Sequence, residues 1–289
     1  MRELYYNLLS YLAPSFNKLY NNNLRVLAYH DVVDVQNFED QISYLSMNFS
    51  IVSMSQIKNH LYNGKTLPKN ALAITFDDGD YTLLEKGIAI LKKYEVHSCV
   101  FVITELINSE TDFWWNRVRM GEKENGNSAL DVSGIINMLK SISNKDRLEK
   151  LSNYKPSFRK QLTGKDLKVL NSNAMIIANH SHTHPMFNKC TPQEIQTELN
   201  CTKRFFKDFK LGNYGIFAYP NGNYDDDSEK LLKENNIEMA FLFDHKINST
   251  KIDPLRISRI RVDSDTKMAE FKVKVSGLHP FLYHNLGKK

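Results

Sequence analysis

The chain has 289 residues, 42% of them hydrophobic and 25% charged, with a formal net charge of +5 and a pI near 8.8. That is enough apolar content for one large α/β domain or two small ones, and too much for a disordered chain. The basic residues are spread out with no block of like charge, so nucleic acid is not an implied partner; an acidic ligand and solvated lysines account equally well for the mild positive balance.

Three cysteines, Cys99, Cys190 and Cys201, lack metal-type spacing and point to a reducing, cytoplasmic compartment. Near the N-terminus Leu8, Leu9, Tyr11 and Leu12 are interrupted by Asn7, Ser10 and Pro14, which suits neither an export signal nor a membrane span. Residues 1–23 read instead as an amphipathic helix packing on a domain that spans residues 24–289, with peripheral membrane contact as the alternative.

Residues 24–30 form a first strand that closes on Tyr29-His30. Phe38, Ile42 and Leu45 have helical spacing, and a short strand at 49–52 and a helix at 55–62 follow. The run Ala73-Ile74-Thr75-Phe76 is a strand that ends in Asp77-Asp78-Gly79. A helical pattern at 81–94 and an apolar strand at 98–103 complete a βαβ unit with parallel strands. Residues 108–173 are polar, contain Gly-Asn turns, and read as a largely helical insertion covering the site, with Trp114 and Trp115 as its packing anchors. A strand at 174–178 runs into His180-Ser181-His182-Thr183-His184, and Ile195, Leu199 and Phe206 mark a helix over 192–209. The strand at 214–219 ends in Pro220-Asn221-Gly222; a helix at 227–235 and strands at 238–243 and 255–262 follow. About seven strands alternating with helices predict a parallel barrel related to the eight-stranded kind, with its chemistry at the carboxyl ends of the strands.

Neighbouring side chains on a strand face opposite ways, so Asp77 and Asp78 cannot share one task; one suits a metal and the other a proton. His180 and His184 are four apart and can converge on one cation, and a carboxylate would complete a facial set with positions open to water.

The pair Thr75-Phe76-Asp77-Asp78-Gly79 and His180-Ser181-His182-Thr183-His184 resembles the polysaccharide deacetylases, the NodB homology group of carbohydrate esterases. The resemblance runs over residues 24–262 and implies a distorted TIM-like (β/α)7 barrel with a helical insertion. It further implies that Asp78, His180 and His184 hold a divalent metal, usually zinc, with cobalt, nickel or manganese as alternatives. Asp77 would be the general base, and Ser181 would brace the loop between the ligands. The third family motif appears as Phe217-Ala218-Tyr219-Pro220-Asn221-Gly222, with Ala218 where arginine often stands. Tyr219, Pro220, Asn221 and Gly222 would then meet the substrate, the Asn221 N–H as oxyanion donor. Arg259 is the candidate to replace the missing arginine beside Asp77, with Arg261 second. His30 is the candidate general acid in a permuted motif order, ahead of His279 and His284. The implied activity is removal of N-acetyl groups from an amino sugar in a bacterial surface glycan or its precursor. A non-catalytic glycan-binding relative, and a deacylase of an O-acetyl ester or non-sugar amide, are the alternatives.

Overall fold

The computed structural model describes residues 2–286. Its sheet orders the strands β7-β6-β5-β4-β3-β1-β8, all paired in parallel, with β2 (Ser50–Ile51) added against the start of β3. The strands are β1 (Arg25–Tyr29), β3 (Ala71–Phe76), β4 (Ser98–Val102), β5 (Met175–Asn179), β6 (Ile216–Ala218), β7 (Met239–Phe241) and β8 (Ile260–Arg261). The seven on the main path curl into a half-barrel. Before β8, Ile257 still bonds Ala240 and Leu242 of the β7 edge; beyond it, the Val262 N–H donates to Ala28. The expected strand at 255–262 is therefore mostly spent crossing between partners, and only Ile260–Arg261 is regular.

Strand alternation separates two cores. Val26, Ala73, Cys99, Phe101, Ala178 and Ala218 point into the barrel. Leu27, Ile74, Phe76, Val100 and Ile177 point outward, where helices α3 (Val35–Asn48), α5 (Ile88–Lys93) and α9 (Gly164–Ser172) cover them. Asp77 has the inward parity of Ala73 and Thr75. Alanines at three of these inward positions leave room in the barrel for a long polar side chain.

The expected insertion contains α6 (Trp114–Glu124), α7 (Ala129–Ser141) and α8 (Asn144–Leu151), which share a small core of Trp114, Val118, Val132, Ile136, Leu139 and Leu151. The insertion is shorter than 108–173, because Leu167 and Leu170 of α9 belong to the outer core of the barrel, making α9 a barrel helix.

The N-terminal segment is two helices, α1 (Arg2–Ser10) and α2 (Ala13–Leu19), where one was expected. Pro14 stands in the first turn of α2, where its missing N–H costs nothing; within one continuous helix it would break the ladder. α1 lies along α12 (Met268–Ser276), with Arg2 paired to Glu270 at 2.8 Å, and Tyr6 stacks on His279 of α13 (Leu278–Leu286). No helix among the described residues is long and apolar enough to cross a membrane.

Candidate active site

At the end of β3 the Asp77 N–H still donates to Tyr29 O at 2.8 Å, after which the chain turns left-handed at Asp78 (φ 68°) and Gly79 (φ 74°). That reversal sends the two carboxylates apart. Ser181 (φ 67°), His184 (φ 57°) and Asn221 (φ 57°) adopt the same uncommon backbone. Non-glycine residues there carry strain that surrounding contacts must offset, and such positions gather at functional sites.

The histidine loop is held from several sides. Asn179 Oδ1 accepts from the Ser181 N–H at 2.9 Å, and Ser181 Oγ accepts from the His184 N–H at 3.0 Å. Glu198, on α10 (Pro192–Asp208), accepts from the His182 and Thr183 N–H groups at 2.7 and 2.8 Å and from the Thr183 hydroxyl at 2.7 Å. His182 is turned to Thr104, 2.9 Å away, and stays out of the cluster.

His180 Nδ1 lies 2.9 Å from Ala218 O, which fixes the proton on Nδ1 and leaves the Nε2 lone pair free. That Nε2 is 3.4 Å from Asp78 Oδ1, and His184 Nε2 is 3.6 Å from the same oxygen. Asp78, His180 and His184 are all buried, and their ligand atoms lie within 4.8 Å of one another. Ligand bonds of about 2.0–2.1 Å at tetrahedral angles separate donor atoms by roughly 3.4 Å, so the set fits a small divalent cation. Burial, with the charges of His180 and Arg147, holds the His184 imidazole well below its usual range, in the neutral form that a ligand needs. Burial lowers His180 too, but Asp77 and Asp78 outweigh it and raise the ring.

Asp77 takes a different partner. Arg259 grips it in a fork, Nη1 to Oδ1 at 2.6 Å and Nη2 to Oδ2 at 2.8 Å. The guanidinium is itself fixed by Leu242 O at 2.8 Å and Thr75 Oγ1 at 3.1 Å, and it lies over the Phe101 ring. Burial alone would raise Asp77; the charges of Arg259 and His180 reverse that and hold the carboxyl below its ordinary range. Arg261, the second candidate, faces the cleft and pairs with Asp263 at 3.1 Å.

These groups open into a cleft of about 340 Å³. His30, just past β1, lines it with its ring edge-on to Phe243, and no hydrogen bond to Asp31 is present among the described residues. His279 lies instead with Tyr6, and the His284 side chain is outside the described residues. Of the four expected substrate contacts, only Asn221 lines the cleft. Tyr219 is fully buried, packed on Phe217 and Tyr224 beneath the helices, because strand parity sends 217 and 219 outward and Ala218 inward. Pro220 is buried, and Gly222 is structural: at φ 70° a Cβ would sit 2.4 Å from Phe243 N.

The insertion supplies the rest of the wall with Phe113, Trp115, Asn116, Arg119, Ile136, Lys140 and Arg159. Trp114 is the expected packing anchor. Trp115 packs against the same core, edge-on to Trp114, and goes further: it stacks on Phe113 and contacts His184, ring centroids 5.0 Å apart, inside the cleft. Lys140 donates to Asn221 Oδ1 at 2.8 Å, tying the insertion to the β6 loop.

Fold and site together define a parallel α/β barrel carrying a metal-type Asp-His-His cluster beside a buried, arginine-held aspartate. The family model for polysaccharide deacetylase matches residues 64–240, more than half of the chain, and the chain belongs to that family. It is similar to poly-β-1,6-N-acetyl-D-glucosamine N-deacetylases of Staphylococcus aureus, 24% identical over 245 residues covering 81% of this chain and 68% of the relative. The relative of that name from Staphylococcus epidermidis is 26% identical over 231 residues, covering 80% and 68%. Among solved structures it resembles the Streptococcus pyogenes deacetylase PplD in complex with acetate (TM-score 0.64, 20% identity, 88% of this chain and 98% of that one). IcaB from Ammonifex degensii is similarly close (TM-score 0.64, 18% identity, 87% and 97%). At these identities the structural likeness establishes the fold.

Proposed function

We propose that this chain is a metal-dependent hydrolase that removes N-acetyl groups from an amino sugar of a bacterial surface glycan or its precursor. The observation that carries the reading is the division of labour at one strand end: Asp78 converges with two histidines, while Asp77 is held apart by Arg259. A binding module has no use for an oriented base beside a metal cluster. The names of the staphylococcal relatives support the choice of an N-acetylated saccharide.

Asp78, His180 and His184 would hold the ion, zinc being the best match to two imidazoles and a carboxylate, and it would supply Lewis acidity at the acetyl group. Asp77, kept ionised by Arg259, accepts the proton of the attacking water. The Asn221 N–H, on its left-handed turn, is the donor for the developing oxyanion. His30, at the end of the adjacent strand β1, gives a proton to the departing amine, leaving acetate and a free amino sugar. Trp115, half-buried and backed by Phe113, offers an apolar surface against which a sugar can lie.

The test is acetate release from a β-1,6-linked N-acetylglucosamine oligomer, with and without a chelator. Chelator-sensitive release is expected; no release from N-acetylated sugars, alongside hydrolysis of an O-acetyl ester, would replace this reading with the esterase one.

A further inference from the structure

The proposed reaction leaves two cations of the cleft without a task. Arg119, Lys140, Arg159 and Arg261 all line it. Arg159 is paired with Asp80 at 2.5 Å and Arg261 with Asp263 at 3.1 Å. Lys140 and Arg119 have no carboxylate partner among the described residues. Their hydrogen bonds go to neutral amides, Lys140 Nζ to Asn221 Oδ1 at 2.8 Å and Arg119 Nη1 to Asn116 Oδ1 at 2.7 Å.

Nor does the remaining wall neutralise them. Asp77 is taken by Arg259, Asp78 by the ligand cluster, and Asp80 and Asp263 by their own arginines. Asp31 is the one uncommitted carboxylate in the lining, and the cations it senses are His30 and Arg159, not Lys140 or Arg119. Lys140 is partly desolvated; burial lowers it, Asp78 opposes that, and Arg119 and Arg261 add to the lowering, so these cations sense one another. An ammonium withdrawn from water next to other cations is unfavourable until an anion joins it.

We propose that Lys140 and Arg119 form an anion subsite, and that the N-acetylated saccharide entering this cleft bears an oxyanion substituent, a carboxylate or a phosphate, close to its acetamido group. The inference rests on the saccharide reading above and adds the substrate class. Both side chains come from the insertion, Arg119 from α6 and Lys140 from α7, so the barrel carries the chemistry and the insertion the selectivity. Arg119 can meet two oxygens of one anion through its planar fork, and Lys140 contributes a point charge from the Asn221 side. A hydrogen bond to a charged group of this kind raises affinity by about ten-fold.

Binding is read by calorimetry at low salt on the full-length, metal-loaded chain carrying Asp77→Asn to stop turnover. Three probes are used: N-acetylglucosaminyl-glucose, N-acetylglucosaminyl-glucuronate and N-acetylglucosamine 1-phosphate. At least one anionic probe is expected to bind roughly ten-fold tighter than the neutral one, and which of the two does so names the source of the anion. Adding Lys140→Met or Arg119→Met should bring that ratio towards one. Arg119 is exposed, so its variant tests the subsite even where Lys140→Met perturbs folding. Equal affinity for all three probes, or a preference that survives both substitutions, overturns the proposal. Acetate release by the unmodified chain is assayed separately on the neutral probe and on the oligomer; its failure alongside an intact anion preference would remove the deacetylase reading and leave the subsite standing.

Discussion

Replacing Arg259 with methionine removes the fork on Asp77 while keeping much of the side-chain volume. Arg259 is 0% exposed and Asp77 3%, so the substitution leaves a carboxylate in a poorly solvated place with its main counter-charge gone. Breaking a buried ion pair from one side costs roughly 3–5 kcal/mol; since Asp77 borders a cleft and can take up a proton, the lower end applies, about 3 kcal/mol at pH 7. The pH dependence follows from the sign of the shift. With Arg259 present, Asp77 is held below its unfolded value near 3.8, so the stabilisation is complete above that value and is lost as pH falls through the lower folded one. Without Arg259 only His180 and His30 are left to oppose burial, so the folded carboxyl rises relative to the parent, and the variant is penalised where Asp77 must ionise and loses less on acidification. Urea unfolding at several pH values reads the first effect, and the acid limb of kcat/KM, expected to move to higher pH, reads the second. An Arg259→Met protein within about 1 kcal/mol of the parent at pH 7, with its acid limb unmoved, would refute the assignment of Arg259 as the partner that keeps Asp77 ionised.

Glu198→Gln weakens the clamp on the His182 and Thr183 N–H groups, so the loop between the two ligands loosens; metal affinity measured by chelator competition should fall by about ten-fold, the lower end of the loss when a direct partner of a ligand is removed. His30→Ala should keep its fold and metal while losing roughly two to four orders of magnitude in turnover, and near-normal rates would move the general acid elsewhere. Gly222→Ala forces a Cβ to within 2.4 Å of Phe243 N at φ 70°, and thermal unfolding should show a loss on the order of 2–3 kcal/mol.

The parts of the site that were legible in the sequence are those fixed by strand geometry. Alternation along residues 73–77 is enough to say that Asp77 and Asp78 differ in task; which of them is the metal ligand came from the family resemblance, and the left-handed turn at Asp78 that separates them is seen only in the structure. Arg259 was reached through the family resemblance, which puts a late-strand arginine in place of the one missing at Ala218; the physical reason, that β8 lies beside β1 and β1 beside β3, is visible only in the structure. The same parity rule, applied to residues 217–219, would have moved Tyr219 into the core; the motif resemblance drew attention to the whole stretch instead. The insertion was harder to read. Helical periodicity identifies which face of α6 or α7 is buried, but not how the helices dock, and only docking brings Trp115, Arg119 and Lys140 over the cluster. Arg159 lies outside regular structure, so periodicity says nothing of its place. The break between α1 and α2 had a visible signal in Pro14.

The account stands most directly on the separate tasks of two adjacent carboxylates, and the decisive measurement is metal content and acetate release taken side by side for Asp77→Asn and Asp78→Asn. Asp77→Asn should retain about one divalent ion per chain and release almost no acetate, and Asp78→Asn should lose both. Metal lost from Asp77→Asn and kept by Asp78→Asn, or undiminished acetate release by Asp77→Asn, would contradict it.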